Sequence, residues 1–394
     1  MNVLLTLSTI LSLAPLVQPK LQIDADIPGG NIVVDKIKGD DVYLHQDLRD
    51  TAGDWFYWHF RVRGAHGRTL TFHFTKSNPI GVRGPAVSVD GGKSWRWLGA
   101  QAVRGPSFHF DFPKDADDVR FCFAFPYVGE NLHAFLKRHA KDPHLKVETL
   151  CKSKKGRDID LLLLGRLDGK AKHRVALTCR HHACEMMASY VLEGTIDAVL
   201  ANTEEGRWLR DNVEFFIVPM VDKDGVEDGD QGKNRKPRDP NRDYEGESIY
   251  PAQKAIRERL PKWSEGKLRF AMDMHCPAIR GEHNETIYFV GIPDEKKWEE
   301  MGRFSAILEK VQKGPLVYSS KSNLPYGKGW NTKANYQQGK PFSRWASELP
   351  GVLTATTIEV AYANANGRPV TDESARALGQ DLARALRGYL VGLE

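Results

Sequence analysis

The sequence predicts a two-domain α/β protein in which an antiparallel β-sandwich precedes a larger α/β domain. From about residue 21 to residue 125, short alternating apolar segments are separated by turn residues. Strands at this spacing without a helical period are typical of antiparallel sandwiches. From about Pro126, buried strands alternate with segments of helical period, which indicates a sheet covered by helices on both faces. We place the sandwich at residues 20–127 and the α/β domain at residues 128–394.

The strands of the sandwich are predicted from aromatic-rich alternating runs. These runs are Trp55–Val62, Leu70–Phe74 and Phe108–Phe112. The segment Ser88-x-Asp90-x-Gly92 is predicted to form a tight hairpin. An aspartate in such a turn accepts hydrogen bonds from backbone amides, and glycine permits a positive φ.

The α/β domain is predicted from four buried strands and two helical segments. The strands are Val175–Thr178, Val213–Met220, Leu268–Met274 and Glu285–Val290, and the helices are Met186–Leu200 and a final helix with an apolar stripe at Ala375, Leu378, Leu382, Leu386 and Leu390. In open α/β sheets the functional site lies at the carboxyl ends of the strands. His182, Asp222 and His275 each follow a strand end, so we expect them at one edge of the sheet.

Composition excludes wholesale disorder and gives little support to nucleic-acid binding. The chain of 394 residues is 41% hydrophobic and 27% charged, which are ordinary values for a globular protein. The formal net charge is only +5 and no long block of Lys and Arg is present. We therefore predict no nucleic-acid partner.

Residues 1–19 are predicted to be a signal peptide, so we expect export to the periplasm or the medium. The segment Val3–Val17 is uncharged and apolar, but it is shorter than the roughly 20 residues that span a bilayer. We therefore expect no stable membrane span. No Lys or Arg precedes the apolar run and no clean cleavage site follows it. An uncleaved anchor and a segment that is not a signal, which would leave the protein cytoplasmic, remain alternatives.

The five cysteines do not form the pattern of a disulfide framework, because their number is odd and their spacing is irregular. We predict that they are small buried packing residues. A bridge between Cys184 and either Cys179 or Cys276 is the alternative.

A split set of two histidines and a glutamate predicts a catalytic zinc site. His182 and Glu185 lie three positions apart at the predicted start of a helix, and His275 follows a strand. Two imidazoles and a carboxylate are the ligands of a catalytic Zn²⁺ that keeps a further position open. We predict one Zn²⁺ per chain and no organic cofactor. Structural roles for these histidines in the core are the alternative.

Glu359 is predicted to be the general base of a hydrolase. It lies within the apolar run Thr357–Val360, and a zinc-bound water requires a carboxylate or a similar group to take its proton. A salt-bridged residue in a strand is the alternative.

These motifs, in order, resemble those of the zinc metallocarboxypeptidase family. The resemblance rests on His182-x-x-Glu185, the run Asp239–Tyr244, His275 after Asp273, and Glu359. The preceding run Phe121–Tyr127 with Asn131-Leu132 is similar to the cytosolic-carboxypeptidase branch, which includes tubulin deglutamylases and bacterial relatives. The resemblance implies a carboxypeptidase-type α/β/α domain with a mixed central sheet. It also implies hydrolysis of the C-terminal peptide bond of a peptide or protein tail, and it makes Asp273 a candidate to orient a ligand.

The same resemblance implies residues that bind the C-terminus of the substrate. Asn241 and Arg242 match the family's clamp for a terminal carboxylate, in which a guanidinium binds bidentately. Tyr336 resembles the tyrosine that closes over the substrate terminus, with a packed loop residue as the alternative. Arg344 falls in the segment that lines the pocket for the departing residue, and Arg280 follows the third ligand. Either arginine favours an acidic C-terminal residue, unless it is paired at the surface.

One position departs from the family pattern. The arginine that stabilises the oxyanion in the family aligns with Gly232. Lys233, Arg235 and Arg238 are the candidates to replace it, and we expect Arg235 to do so. Two other functions remain open: a deacylase or amidase acting on small N-acyl amino acids, and a non-catalytic binding protein built on the same fold.

Overall fold

The computed structural model describes residues 20–53 and 55–393. The predicted signal peptide at residues 1–19 lies outside the described residues. Over the part of the chain that is described, no helix has the length and apolar character needed to cross a bilayer.

The N-terminal region contains ten strands in two five-stranded sheets, counted over the described residues. They are β1 (Gln22–Asp24), β2 (Val33–Lys38), β3 (Asp41–His45), β4 (His59–Arg63), β5 (Thr69–Phe74), β6 (Ala86–Ser88), β7 (Arg96–Trp97), β8 (Val103–Arg104), β9 (Ser107–Asp111) and β10 (Val119–Cys122). One sheet has the order β1-β4-β10-β6-β7 and the other β2-β3-β5-β9-β8. The predicted sandwich is present, and its pairings are antiparallel except that β3 pairs with β5 in parallel.

Aromatic side chains from both sheets fill the space between them. The ring of Phe60 on β4 lies 5.4 Å from the ring of Phe72 on β5. Phe72 in turn lies 4.8 Å from Phe108 and 5.3 Å from Phe121. Such pairs each contribute about 0.5–1.5 kcal/mol beyond the area that they bury. The aromatic alternation in the sequence is therefore the core of the sandwich.

The predicted hairpin around Asp90 is confirmed. One carboxylate oxygen of Asp90 accepts the backbone N–H groups of Lys93 and Ser94 at 3.0 Å. Gly91 and Gly92 both have positive φ values, 74° and 89°. The turn joins β6 to β7, which pair in antiparallel.

The second region alternates helices and strands as predicted. Its helices are α1 (Gly129–Arg138), α2 (Met186–Leu200), α3 (Glu204–Asn212), α4 (Lys223–Asp228), α5 (Pro251–Ser264), α6 (Glu295–Val311), α7 (Phe342–Ala346) and α8 (Asp372–Val391). Its strands are β11 (Leu145–Lys152), β12 (Asp158–Gly165), β13 (His173–Cys179), β14 (Val213–Val218), β15 (Leu268–His275), β16 (Ile287–Val290), β17 (Thr354–Val360), β18 (Asn364–Ala365) and β19 (Arg368–Pro369). Short 3-10 helices lie at Ala100–Ala102, Pro240–Arg242, Glu282–Glu285, Ser320–Ser322 and Lys333–Tyr336.

The central sheet is mixed and has the order β11-β12-β14-β13-β15-β17-β16. The four strands from β14 to β17 in this order run in parallel, and antiparallel strands flank them on both sides. Helices α2, α6 and α8 pack with one face of the sheet, while α5 and α7 pack with the other. This is the mixed α/β/α arrangement that the resemblance implied.

Helices α2 and α8 approach each other closely through glycine. A Cβ atom on Gly194 would lie 1.9 Å from the carbonyl oxygen of Arg376, so only glycine fits there. The predicted stripe from Ala375 to Leu390 on α8 is buried throughout. This packing holds α2, whose first turn carries the candidate site.

All five cysteines are unbridged. Four of them are buried, and Cys151 is half-buried on β11. Cys184 lies 3.0 Å from the side-chain nitrogen of Gln231 and 3.5 Å from the hydroxyl of Tyr362. The thiols next to the site therefore act as packing residues.

Candidate active site

Two neighbouring parallel strands bring the predicted metal ligands together. His275 is the last residue of β15, while His182 follows β13 and Glu185 caps the start of α2. Their ligand atoms all lie within 4.8 Å of one another. Nδ1 of His182 is 2.9 Å from Oε1 of Glu185, and Nδ1 of His275 is 2.7 Å from Oε2. Both imidazoles therefore turn the same ring nitrogen towards one carboxylate.

The opposite nitrogen of each imidazole faces a second carboxylate. Nε2 of His182 lies 3.0 Å from Oδ1 of Asp239, and Nε2 of His275 lies 2.5 Å from Oδ2 of Asp273. In metal sites such carboxylates fix the tautomer and orientation of the ligating histidine. Asp273 was predicted to orient a ligand. For Asp239 only its place in a motif was evident from the sequence, because the partner histidine is 57 positions away.

The donor set fits Zn²⁺. Glu185 is fully buried, and its two carboxylate oxygens face the Nδ1 atoms of His182 and His275. Burying a carboxylate is costly unless it is paired with a positive charge or coordinates a metal ion. Two imidazole nitrogens and a carboxylate are the ligands that zinc prefers in catalytic sites. His182, Glu185 and His275 are thus the residues that would hold a zinc ion.

Glu359 lies beside this cluster on the adjacent strand. It is the register partner of His275 on β15 and of Tyr288 on β16. Its side chain is buried, and its Oε2 atom also lacks a hydrogen-bond partner within the described residues. Burial raises the pKa of Glu359 to about 7, although the charges of His275 and Lys233 lower it. A carboxylate with a pKa near neutrality is well matched to general-base catalysis.

The ligands and Glu359 open into one cavity of about 320 Å³. Further predicted site residues that line the same cavity are Asn241, Arg242, Tyr336 and Arg344. Lys233, one of the three candidates to replace the family arginine, lines it as well, and so do Trp55 and Tyr288, which the sequence did not identify. Trp55 comes from the sandwich, so both regions contribute to the walls.

Two arginines face the ring of Tyr336 from within this cavity. The guanidinium carbons of Arg242 and Arg344 lie 4.8 Å and 5.2 Å from the ring centroid. Arg242 also donates to the carbonyl oxygens of Asn335 and Asn241. Over residues 20–53 and 55–393, neither guanidinium has a carboxylate within the 4.0 Å of an ion pair. The pocket therefore holds two guanidinium groups that have no ion-pair partner among the described residues.

Asn241 connects this pocket to the metal cluster. Its side-chain nitrogen lies 3.0 Å from Nε2 of His275, and its side-chain oxygen accepts the backbone N–H of Phe342 at 3.0 Å. Tyr336 donates a hydrogen bond from its hydroxyl to Asn331 at 2.6 Å. Both predicted substrate residues are thus held in place at the cavity wall.

The structure does not bring Arg235 into this cavity. Its guanidinium pairs with Asp222 at 2.7 Å, Asp230 at 3.0 Å and Asp50 at 3.2 Å, and it lines a separate cavity. Three carboxylates satisfy the charge of Arg235, which explains why it does not turn towards the metal ligands.

Two other cations that the sequence identified also lie elsewhere. Arg238 pairs with Asp243, and neither residue is in the wall of the site cavity. Arg280 is exposed and donates to the carbonyl oxygen of Asn78 in the sandwich. Of the two candidate specificity arginines, the structure places only Arg344 in the site.

Lys233 is the cation of this loop that reaches the site. Its ammonium lies 2.7 Å from Oε1 of Glu185 and donates to the carbonyl oxygens of Cys276 at 2.6 Å and Pro277 at 3.2 Å. The side chain is 12% exposed. The charge of Glu185 holds the pKa of Lys233 above its ordinary value, against the effect of burial. Lys233 is therefore charged inside the cavity.

Comparison with known proteins agrees with this geometry. The zinc carboxypeptidase family matches residues 132–264. Cytosolic carboxypeptidase 2 of Xenopus tropicalis is 31% identical over 174 residues, which are 42% of this chain and 18% of that protein. Cytosolic carboxypeptidase 3 of Bos taurus is 31% identical over 302 residues, which are 71% of this chain and 28% of that protein. The chain thus spans less than a third of the length of either relative.

A solved structure supports the fold over almost the whole chain. The metallo-carboxypeptidase from Burkholderia cenocepacia has a TM-score of 0.78 and is 22% identical, covering 95% of this chain and 100% of that one. The sandwich is included in this overlap, because 95% of the chain extends well beyond the α/β region. The sequence matches and the ligand cluster together support a zinc carboxypeptidase-like chain, similar to the cytosolic carboxypeptidases over the region that they share.

Proposed function

We propose that the protein is a zinc carboxypeptidase that releases C-terminal residues from peptides or flexible protein tails. The observation that supports this most directly is the shared cavity. One cavity of about 320 Å³ is lined by the three candidate zinc ligands, by Glu359 and by two arginines that have no ion-pair partner among the described residues. Hydrolysis and recognition of a terminal carboxylate are therefore possible in one place.

The chain's own residues account for the movement of the proton. Bound zinc supplies polarisation of the scissile carbonyl and a lower pKa for the attacking water. Glu359 takes one proton from this water as its oxygen forms a bond to the carbonyl carbon. The same carboxyl then gives this proton to the leaving nitrogen as the C–N bond breaks. The products are a shortened peptide with a new carboxylate and a free amino acid.

The terminal carboxylate of the substrate is proposed to bind Arg242 and Asn241. A guanidinium without a carboxylate partner is suited to bidentate binding of a carboxylate. The ring of Tyr336 stacks against this guanidinium, which keeps the planar group in a fixed orientation. This arrangement favours substrates with a free C-terminus over internal peptide bonds.

We propose further that acidic C-terminal residues are preferred. The guanidinium carbon of Arg344 lies 5.2 Å from the ring centroid of Tyr336, and Arg344 is half-buried and has no carboxylate partner among the described residues. A second unneutralised cation beside the first is unfavourable in the empty site. A substrate with both an α-carboxylate and a side-chain carboxylate neutralises the two arginines together.

The location of the protein remains a separate proposal that depends on residues 1–19. If this segment directs export, as its sequence predicts, the substrates are peptides of the cell envelope or the medium rather than cytosolic proteins.

The test is the release of free amino acids from peptides that differ only in the last residue. The panel contains glutamate, aspartate, glutamine, leucine and lysine at this position, and each peptide is also tested with an amidated C-terminus. We expect release from the free acids, fastest for the acidic residues, and none from the amides. Stoichiometric zinc without release from any peptide contradicts the proposal, and hydrolysis of acyl-aspartate instead would favour a deacylase.

A further inference from the structure

If the protein hydrolyses peptides as proposed, the scissile carbonyl oxygen becomes negatively charged during the reaction, and a cation in the site is needed to balance this charge. We propose that Lys233 is a catalytic residue that donates a hydrogen bond to the scissile carbonyl oxygen as this oxygen becomes negative. We propose also that Asp50 of the sandwich is the positioning residue that holds Lys233 in the site.

The first observation is the set of partners of the Lys233 ammonium. An ammonium has three N–H donors. Two of its contacts are to backbone carbonyls, those of Cys276 and Pro277, and the third is to Glu185. Burying an ammonium is costly unless it is paired. Lys233 therefore depends on these three contacts to compensate for the water that its ammonium has lost.

A divalent cation held by His182, Glu185 and His275 would bring a second positive charge to the carboxylate that Lys233 contacts, and two positive charges repel each other at short range. The carbonyl oxygens of Cys276 and Pro277 would then keep the ammonium at the cavity wall. One N–H of Lys233 is then available to an oxygen in the cavity that gains negative charge, and fixed donors of this kind stabilise such charge strongly.

The second observation is that other residues of the loop are prevented from taking this role. Gly232 has a φ of 84°, and a Cβ atom there would lie 2.4 Å from the backbone nitrogen of Ala183. A side chain at position 232 is therefore excluded. Arg235 is bound by three carboxylates outside the cavity. Lys233, between them, points into the site.

The third observation is that the sandwich holds this loop. The carboxylate of Asp50 accepts the backbone N–H groups of Gln231 at 3.1 Å and Gly232 at 2.8 Å, and it pairs with Arg235. The hydroxyl of Thr51 donates to the carbonyl oxygen of Lys233 itself. These contacts fix the backbone on both sides of Lys233.

Gln231 adds a second set of contacts with the sandwich. Its side-chain oxygen accepts the N–H groups of Phe56 at 3.2 Å and Tyr57 at 2.9 Å. The residues that carry Lys233 are thus bound to a segment about 180 positions earlier in the chain. The sandwich is therefore part of the catalytic arrangement and more than a neighbouring domain.

The experiment compares Lys233→Met and Lys233→Arg with the wild-type protein. Five quantities are measured: kcat and KM on the best peptide, zinc per chain, the affinity of a phosphinic peptide, and the affinity of the product amino acid. A phosphinate is tetrahedral and negatively charged at the position of the reacting carbon, so it resembles the intermediate. The product amino acid lacks this group.

For Lys233→Met we expect kcat to fall by about 10²–10³, with KM and zinc content unchanged. The affinity of the phosphinic peptide should fall by a similar factor, while that of the product amino acid should not. Lys233→Arg retains a cation and should recover most of the loss.

Three results would overturn the assignment: an unchanged kcat, an equal loss of affinity for phosphinate and product, or a loss of zinc with kcat restored by added zinc. The last of these would make Lys233 a residue that orients Glu185. If the wild-type protein releases no amino acid, the proposed function fails, and the phosphinate affinities still decide the role of Lys233.

The role of Asp50 is tested with a double-mutant cycle. Asp50→Asn keeps the size of the side chain but removes its charge. Asp40→Asn is the matched control, because among the described residues the carboxylate of Asp40 pairs with Arg68 in the sandwich. We expect Asp50→Asn to lower kcat and phosphinate affinity together, with zinc content unchanged. Combined with Lys233→Met, it should cause no additional loss, because both changes remove the same interaction. Additive losses would show that Asp50 acts independently of Lys233.

Discussion

The carboxylate of Asp239 lies 3.0 Å from Nε2 of His182, on the side of the imidazole opposite Glu185. The same Asp239 accepts the backbone N–H groups of Asn234 and Asn241 at 2.8 Å each. It therefore connects a candidate metal ligand to the loop that carries Lys233 and to the start of the proposed substrate clamp. Burial raises the pKa of the Asp239 carboxyl, but the charge of His182 and the hydrogen bonds lower it by more. The pKa is therefore held below its ordinary value, and the carboxylate stays ionised.

We predict that Asp239→Asn weakens zinc binding by about 10- to 100-fold, the usual loss when a carboxylate behind a ligating histidine is removed. The asparagine keeps the size of the side chain but cannot hold the imidazole through an ionic hydrogen bond. Competition with a chelator of known affinity measures the change. Glu245→Gln, an exposed substitution nearby in the chain, is the control. Equal zinc affinities for the two variants would contradict the assigned role.

Glu359→Gln is expected to lower kcat by about 10²–10⁴, the range for loss of a general base. Glutamine occupies the same space beside His275 but cannot accept the proton of the attacking water. Zinc content and KM should change little, because Glu359 is not among the candidate ligands. A variant that keeps more than a tenth of the wild-type kcat would show that another group removes the proton.

Arg344→Gln is expected to reduce the preference for acidic C-terminal residues. Loss of a charged hydrogen bond costs about 1.5–3 kcal/mol, which corresponds to roughly a 10- to 100-fold decrease in kcat/KM for a glutamate-ending peptide. The leucine-ending peptide should be affected much less. Arg280→Gln is the matched control, because Arg280 is exposed and bonded to the sandwich. The proposal fails if both variants keep the wild-type ratio of glutamate to leucine release.

The sequence identified those parts of the site that depend on local patterns. Short buried runs in the sequence mark the end of the strand before His182 and the end of the strand that contains Asp273. A similar run marks the start of the helix at Glu185. Since adjacent parallel strands end at the same edge, convergence of the two histidines follows from the strand assignments. The parallel pairing of β3 with β5 was not predicted, because alternation in sequence indicates which face of a strand is buried and leaves its partner open.

The sequence named three candidate cations of this loop but could not decide which of them lies next to Glu185. Arg235 was expected there because a guanidinium would replace the family arginine, yet Asp50, Asp222 and Asp230 bind it. One of these carboxylates belongs to the sandwich, 185 positions away. A choice between neighbouring cations of one loop depends on such distant partners. The exclusion of a side chain at position 232 likewise depends on the backbone of Ala183, which is distant in the sequence.

The buried His59 on β4 gives a prediction about stability that is independent of the site. Burial, with a smaller contribution from the charge of Arg120, lowers the pKa of His59 to about 3, whereas an unfolded histidine has a pKa of about 6.5. Between these values the unfolded chain binds more protons than the folded chain. The contribution of His59 to stability is therefore fully present above pH 6.5 and is lost as the pH falls towards 3.

At pH 5 this loss amounts to about 2 kcal/mol relative to pH 7, since each pH unit below 6.5 costs about 1.4 kcal/mol. His59→Leu removes the titrating group, so its thermal midpoint should decrease less between pH 7 and pH 5 than that of the wild-type protein. His109→Leu replaces an exposed histidine of the same sandwich and should leave the wild-type pH dependence unchanged. Parallel decreases for the wild type and both variants would mean that other groups determine the acid sensitivity of the fold. A smaller decrease for His59→Leu alone would show that the acid sensitivity of the fold originates at His59 on β4. The imidazole of His59 is packed there 5.7 Å from the ring of Trp95.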